Sequence, residues 1–253
     1  LVLVGLRDQT IFLAARGEVY GSIALTYLLA ATDQVTAAKL VMVIIWFGAA
    51  TSKINRHFPF VVACMLANGP LLRSARLKQR LWRDYPDDLR PGRLSEVLAH
   101  GGTVVEFTAP VLLLLSDGGW VTTVAAVVMI GFHLTILCSF PMGVPLEWNV
   151  FMIIGIVVLF VGNPGIDLGA LSDPFAVAAL VAFLVSVVVY GNLVPERVSF
   201  LPAMRYYAGN WAATFWCFRG DALERFDAIV VKASMLPHQQ LERVYGSEQE
   251  AAI

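Results

Sequence analysis

Long blocks of apolar residues separated by short polar turns organise this chain, and block length assigns the elements. A helix needs about 20 apolar residues to cross a hydrocarbon core of about 30 Å. The blocks predict spans over about Val19–Ala31, Val35–Lys53, Leu94–Leu115, Trp120–Phe140, Trp148–Val161 and Pro174–Leu193. The first lies in "TIFLAARGEVYGSIALTYLLAAT", where Arg16 and Glu18 interrupt its start; the last two, "NVFMIIGIVVLFVG" and "PFAVAALVAFLVSVVVYG", are the most continuous. Between the second and third spans, "FPFVVACMLANGPLL" is too short to cross and is broken by Asn68, Gly69 and Pro70. It reads as a re-entrant or interfacial segment.

After Leu193 the pattern changes. Tyr206, Tyr207, Trp211 and Trp216 beside Arg205 and Arg219 suit the headgroup zone, and the end, "LPHQQLERVYGSEQEAAI", is polar. The expected fold is therefore all-α: a polytopic helical membrane bundle of about six transmembrane helices, with a re-entrant or interfacial segment and an interfacial C-terminal helix. It divides into a transmembrane helical domain over 1–195 and an interfacial aromatic helix with a cytoplasmic tail over 196–253. The opening "LVLVGLRDQT" has no initiator Met and no signal-peptide layout, and reads as the tail of an earlier apolar segment in a longer chain.

Composition agrees with this reading: 58% hydrophobic residues, 15% charged residues and a mean hydropathy of +0.70 exceed a soluble domain. Loop charge then orients the spans, because Lys and Arg collect on the cytoplasmic side. The segment "LRSARLKQRLWRDYPDDLRPGRL" carries Arg73, Arg76, Lys78, Arg80, Arg83, Arg90 and Arg93, whereas the turns at Asp33, Asp117–Gly119 and Asn163–Asp173 carry neither Lys nor Arg. With Arg197, Arg205 and Arg219 joining the basic face, both ends of the chain fall in the cytoplasm of a cell whose plasma (inner) membrane holds the spans. Forcing the short "FPFVV" piece to cross would put Arg7 and Arg16 on the wrong face.

Charge also singles out the groups that could carry chemistry, since burying an ionisable side chain in a membrane costs several kcal/mol unless it is paired or solvated. Lys53, His100, Glu106 and His133 lie in or at the end of spans. Counting about 1.5 Å per helical residue from the acidic face puts His133 about 21 Å deep, Glu106 about 17 Å and Lys53 about 27 Å, within about 10 Å of one another. A desolvated lysine is a strong base that Glu106 or His133 tunes or relays for. Structural readings stand beside each role. Lys53 at a helix end is also the ordinary address of a snorkelling anchor, His133 suits a histidine bonded to a neighbour's backbone, and Glu106 suits a purely structural pair with His100, His133 or Arg16.

Other signals exclude more than they suggest. Cys64, Cys138 and Cys217 lack the short spacings of thiolate metal sites and read as inert buried thiols, so no metal is expected. "GNPG" and "SDGG" are turns without the Gly-Lys-Ser/Thr run of a phosphate loop. The basic loop sets topology and touches anionic lipid rather than nucleic acid, and "RDYPDDLRP" reads as a fixed surface turn.

"WFGAATSKIN", followed by "VEFTAPVLLLL", "GFHLTI" and "PLEWNVFMIIGI", resembles the horizontally transferred transmembrane domain superfamily over about residues 10 to 165. That group includes vitamin K-dependent gamma-carboxylase. The resemblance implies a carboxylase-like fold in which Lys53 is the base that deprotonates a quinol and His133 is its partner. The carboxylase works on the lumenal side, whereas loop charge puts Lys53 near the cytoplasm. "GLRDQTIFLAARGE", "VPLEWNV", "VSFLPAMRYYAGNWA" and "DLRPGRL" resemble, across most of the chain, an actinobacterial family of transmembrane proteins without an assigned activity.

Two functions remain open at this level. One is a cell-envelope membrane protein that binds a lipid-like or protein ligand, with membrane lipids and other membrane-protein subunits as partners. The other is an enzyme that uses Lys53, His133 and Glu106 on a quinone or isoprenoid.

Overall fold

The computed structural model describes residue 3 and residues 17–139, 144–194 and 218–228. Over these the chain forms α1 (Gly17–Leu25), which tightens into a 3-10 turn at Thr26–Leu28, then α2 (Gln34–Ser52), α3 (Phe58–Asn68) and α4 (Ala75–Arg80). The strands β1 (Trp82–Asp84) and β2 (Asp88–Pro91) precede α5 (Arg93–Leu115), α6 (Gly119–Ser139), α7 (Val144–Gly155), α8 (Pro174–Leu193) and the short α9 (Ala222–Asp227). Among the described residues α2, α5 and α6 are long and apolar enough to cross a membrane. The other expected spans correspond to shorter apolar helices at Val19–Leu28, Glu147–Val161 and Pro174–Tyr190. Arg7, Arg16, Arg197, Arg205, Cys217 and the aromatic residues Tyr206, Tyr207, Trp211 and Trp216 lie outside the described residues.

One sequence expectation is sharpened and one is corrected. The fixed turn lies in an ordered basic segment: Ser74 caps α4 by accepting from the Leu77 N–H, and β1 pairs antiparallel with β2, Trp82 facing Pro91 and Asp84 facing Asp88. "RDYPDDLRP" is thus the turn of a small hairpin, the other elements among the described residues being helical. Asp88 holds it by accepting from the backbone and guanidinium of Arg90, which keeps its carboxyl down at about 2. Of the cysteines, Cys64 is half-buried and Cys138 is exposed, so neither is a fully buried thiol.

The core forms where α1, α2, α5, α6 and α7 meet. Met42 and Trp46 of α2 pack against Ala109 and Leu113 of α5, Ala125, Ala126 and Met129 of α6, and Met152, Ile156 and Phe160 of the α7 rod. Small residues on α5 and α6 let the helix backbones come close, the packing that membrane helices use in place of a hydrophobic drive. Past Gly155 the rod widens into a π-helical turn at Ile156–Val161, closed by the Gly162 N–H donating to the Val157 carbonyl.

The turns without Lys or Arg are bonded together at one end of the bundle. Asp33, capping α2, accepts from the Ser172 and Asp173 backbone N–H groups at 2.8 and 2.9 Å. Lys39, one turn into α2 and 3% exposed, donates to the carbonyls of Asn163 and Gly165. The Gly165 N–H in turn donates to the Ser116 carbonyl. Gly165 has φ +76°, and a Cβ there would lie 2.5 Å from the Asp117 carboxylate, so only glycine fits this crossing. This polar clasp fixes the ends of α2, α5, α6, α7 and α8, and so fixes what their opposite halves can meet.

Candidate functional site

At the opposite end of α2 the chain turns sharply. The helix stops at Ser52, whose hydroxyl donates back to the Ala49 carbonyl, and Lys53 occupies the cap position. Asn55 then donates to the Ser52 carbonyl while its side-chain oxygen accepts from the N–H groups of His57 and Phe58. This asparagine turn starts α3, with Pro59 in its first turn where a missing N–H costs nothing. The reversal folds α3 across α5 and sets Phe58 against the lysine that precedes it.

Lys53 does not reach outward. Its Nζ donates to Glu106 Oε2 in an ion pair whose side chains are 15% and 3% exposed. The rings of Phe58 and Phe132 flank the ammonium, with centroids 5.8 and 5.4 Å from Nζ. Local sequence makes this possible on α5. Pro110 lacks the N–H that would bond the Glu106 carbonyl, loosening the helix at the acid. Gly102, one turn earlier, leaves room for Phe132, since a Cβ there would sit 3.1 Å from its ring.

His133 lies one helix over and is 1% exposed. Trp46 Nε1 donates to His133 Nε2 at 3.1 Å, and His133 Nδ1 lies 2.7 Å from Asn149 Oδ1. An indole nitrogen only donates, so Nε2 holds the lone pair and Nδ1 carries the proton that it gives to Asn149. Both ring nitrogens are engaged by side chains, not by a neighbour's backbone as the sequence suggested. The histidine ties α2, α6 and α7 together in a neutral form.

These groups enclose a cavity of about 240 Å³. Its wall is mostly apolar, with Met65 and Leu66 of α3, Leu98 of α5 and Ile136 of α6 around the polar set of Lys53, Glu106, His133 and Asn149. Leu98 is 44% exposed, so the wall reaches the outer surface of the bundle. Gly69 keeps α3 close to α6 there, because a Cβ would lie 2.6 Å from the Ser139 carbonyl oxygen.

The structure thus brings Lys53, Glu106 and His133 to one cavity, with the first two in contact. His100 is exposed on α5 and takes no place in it. Sequence reading missed Trp46, Asn149, Phe58 and Phe132, since aromatic and amide residues in an apolar block carry no signal until a partner is known. It also missed Lys39, which reads as an isolated cation in "TAAKLVMV".

A family model described as transmembrane protein of unknown function (DUF3556) matches residues 1–253. The chain belongs to this family. It is an integral membrane protein by that membership and by the three long apolar helices. No curated protein and no solved structure matches the chain significantly.

Proposed function

We propose that this DUF3556 protein binds an amphiphilic, lipid-like molecule inside the membrane, with its head at Lys53 and Glu106 and its tail along the apolar wall of the cavity. One observation carries this reading: a buried ion pair faces a mostly apolar cavity open at the bundle surface. An ion pair kept only for stability gains little over well-packed apolar residues. One that lines a cavity presents its polarity to whatever enters there. Membrane lipids are the partners under this reading, with other membrane-protein subunits against the exposed helix faces.

The orientation belongs to the same proposal. About six crossings in a plasma membrane, with both ends of the stretch cytoplasmic, follow from loop charge. The clasp supports it, because the turns free of Lys and Arg at Asp33, Ser116 and Asn163–Asp173 are joined at one end of the bundle. The ion pair then lies in the cytoplasmic half.

A second reading, an enzyme resembling the carboxylase-like domain and acting on a quinone or isoprenoid, is favoured by the contact between Lys53 and Glu106. Lysine would act as base with the carboxylate taking or returning its proton, and His133, with both nitrogens bonded, would position rather than transfer.

The test compares lipid extracted from the purified wild-type protein with lipid from K53M/E106L, which removes both charges and keeps apolar volume. We expect the wild type to retain a specific lipid-like species and the variant to lose it about tenfold or more, the effect of about 1.4 kcal/mol of binding energy. Equal lipid content in both would overturn the proposal.

A further inference from the structure

The ion pair leaves hydrogen-bonding capacity unused on both partners. A carboxylate has two oxygens and an ammonium three protons. Glu106 Oε2 takes a bond from Lys53, whereas Oε1 receives none from any described residue, although the side chain is only 3% exposed. Lys53 Nζ makes the Glu106 bond and otherwise faces the rings of Phe58 and Phe132. An acceptor oxygen and a donor nitrogen therefore stand side by side at the cavity wall, both short of a partner.

The hydroxyl groups nearby do not fill the gap, because each donates to its own helix. Ser52 bonds the Ala49 carbonyl, Thr135 the Gly131 carbonyl and Ser139 the Thr135 carbonyl. His133 is spent on Trp46 and Asn149. Among the described residues the ion pair thus offers one carboxylate lone-pair face and the free protons of one ammonium.

A ligand head that satisfies both must donate one hydrogen bond and accept another through the same small group. We infer that the cavity selects a long-chain aliphatic alcohol, whose hydroxyl donates to Glu106 Oε1 and accepts from Lys53 Nζ. This rests on the proposed lipid-binding function and narrows it to one head-group chemistry. Fatty carboxylates and phosphates are disfavoured, since their charge would approach Glu106, whose own charge already neutralises Lys53. Ethers and esters accept from Lys53 but leave Oε1 bare, and a buried acceptor without a donor is costly.

The test uses the full chain in nanodiscs and a diazirine-bearing hexadecanol, with the cross-linked peptides identified by mass spectrometry. Unlabelled hexadecanol, 1-methoxyhexadecane and hexadecanoate compete in separate series. We expect labelling on α3, α5 or α6 at the cavity, with hexadecanol competing at about tenfold lower concentration than either of the others, the worth of one hydrogen bond. In E106Q, which frees the Lys53 ammonium, hexadecanoate should become the best competitor. Hexadecanoate matching hexadecanol on the wild-type protein would overturn the head-group assignment and leave the lipid site standing. E106Q keeping the wild-type order would also overturn it. Absence of any cavity labelling would instead overturn the lipid-binding proposal itself. The wild-type series needs no variant to fold, so the assignment is testable even if E106Q is unstable.

Discussion

Two lysines of α2 enter the protein interior at opposite ends of the helix, and they are used differently. Lys39 gives protons to two backbone carbonyls of the α7–α8 connection, at the same end of the helix as Asp33, whose carboxylate takes two backbone N–H groups. Two of the Lys39 protons and both Asp33 oxygens are taken up by the fold. Lys53 meets a single carboxylate, with an oxygen to spare, on the wall of a cavity. Burial of charge is common to both ends and marks neither as functional. A carboxylate oxygen without a donor, at the wall of a cavity, separates the two.

The contrast breaks most visibly at the ion pair. Lys53→Met leaves the Glu106 carboxylate buried without its cation, and we expect a loss of about 3–5 kcal/mol. Thermal melting of the purified protein measures it, and K53M/E106L should recover to within about 1 kcal/mol of the wild type. At the closed end Lys39→Met should cost about 2–3 kcal/mol by stranding the two carbonyls, with no change in bound lipid. No second substitution rescues it, because its partners are backbone.

A smaller effect is expected from Trp46→Phe, which removes the proton donor to His133 Nε2 and should cost about 1–2 kcal/mol. If the histidine only positions helices, lipid retention will survive the change. The smallest effects lie in acid. The Ser172 and Asp173 N–H groups hold the Asp33 carboxyl below its ordinary value of 3.8, and Arg90 holds Asp88 down to about 2. A depressed carboxyl adds stability that is full above its unfolded value and fades as pH falls through the folded one. Wild type should therefore weaken below about pH 4, and D33N and D88N should each be less stable at neutral pH yet flatter across that window in melting curves.

Much of this was legible from residue order. Block length located α2, α5 and α6 because a spanning helix must be apolar for most of its length, and loop charge grouped the turns that the clasp joins. Counting rise per residue also placed Lys53 near Glu106 in depth. Facing direction was not legible, since all sides of such a helix are apolar and no periodic stripe shows which one meets a neighbour. The reversal at Asn55 and the gap left by Gly102 decide it, and both depend on α3 and α6 being in place. The hairpin was hidden for another reason. Its strands are three and four residues long, too short for alternation to register beside seven basic residues.

The most direct measurement is a double-mutant cycle on Lys53 and Glu106, with K53M, E106L and the pair compared by reversible unfolding. An inward ion pair requires a coupling of at least about 2–4 kcal/mol, the value if E106L alone cost nothing, the double variant being far more stable than the sum of the single losses. Strictly additive losses would make Lys53 an independent headgroup anchor and contradict the site.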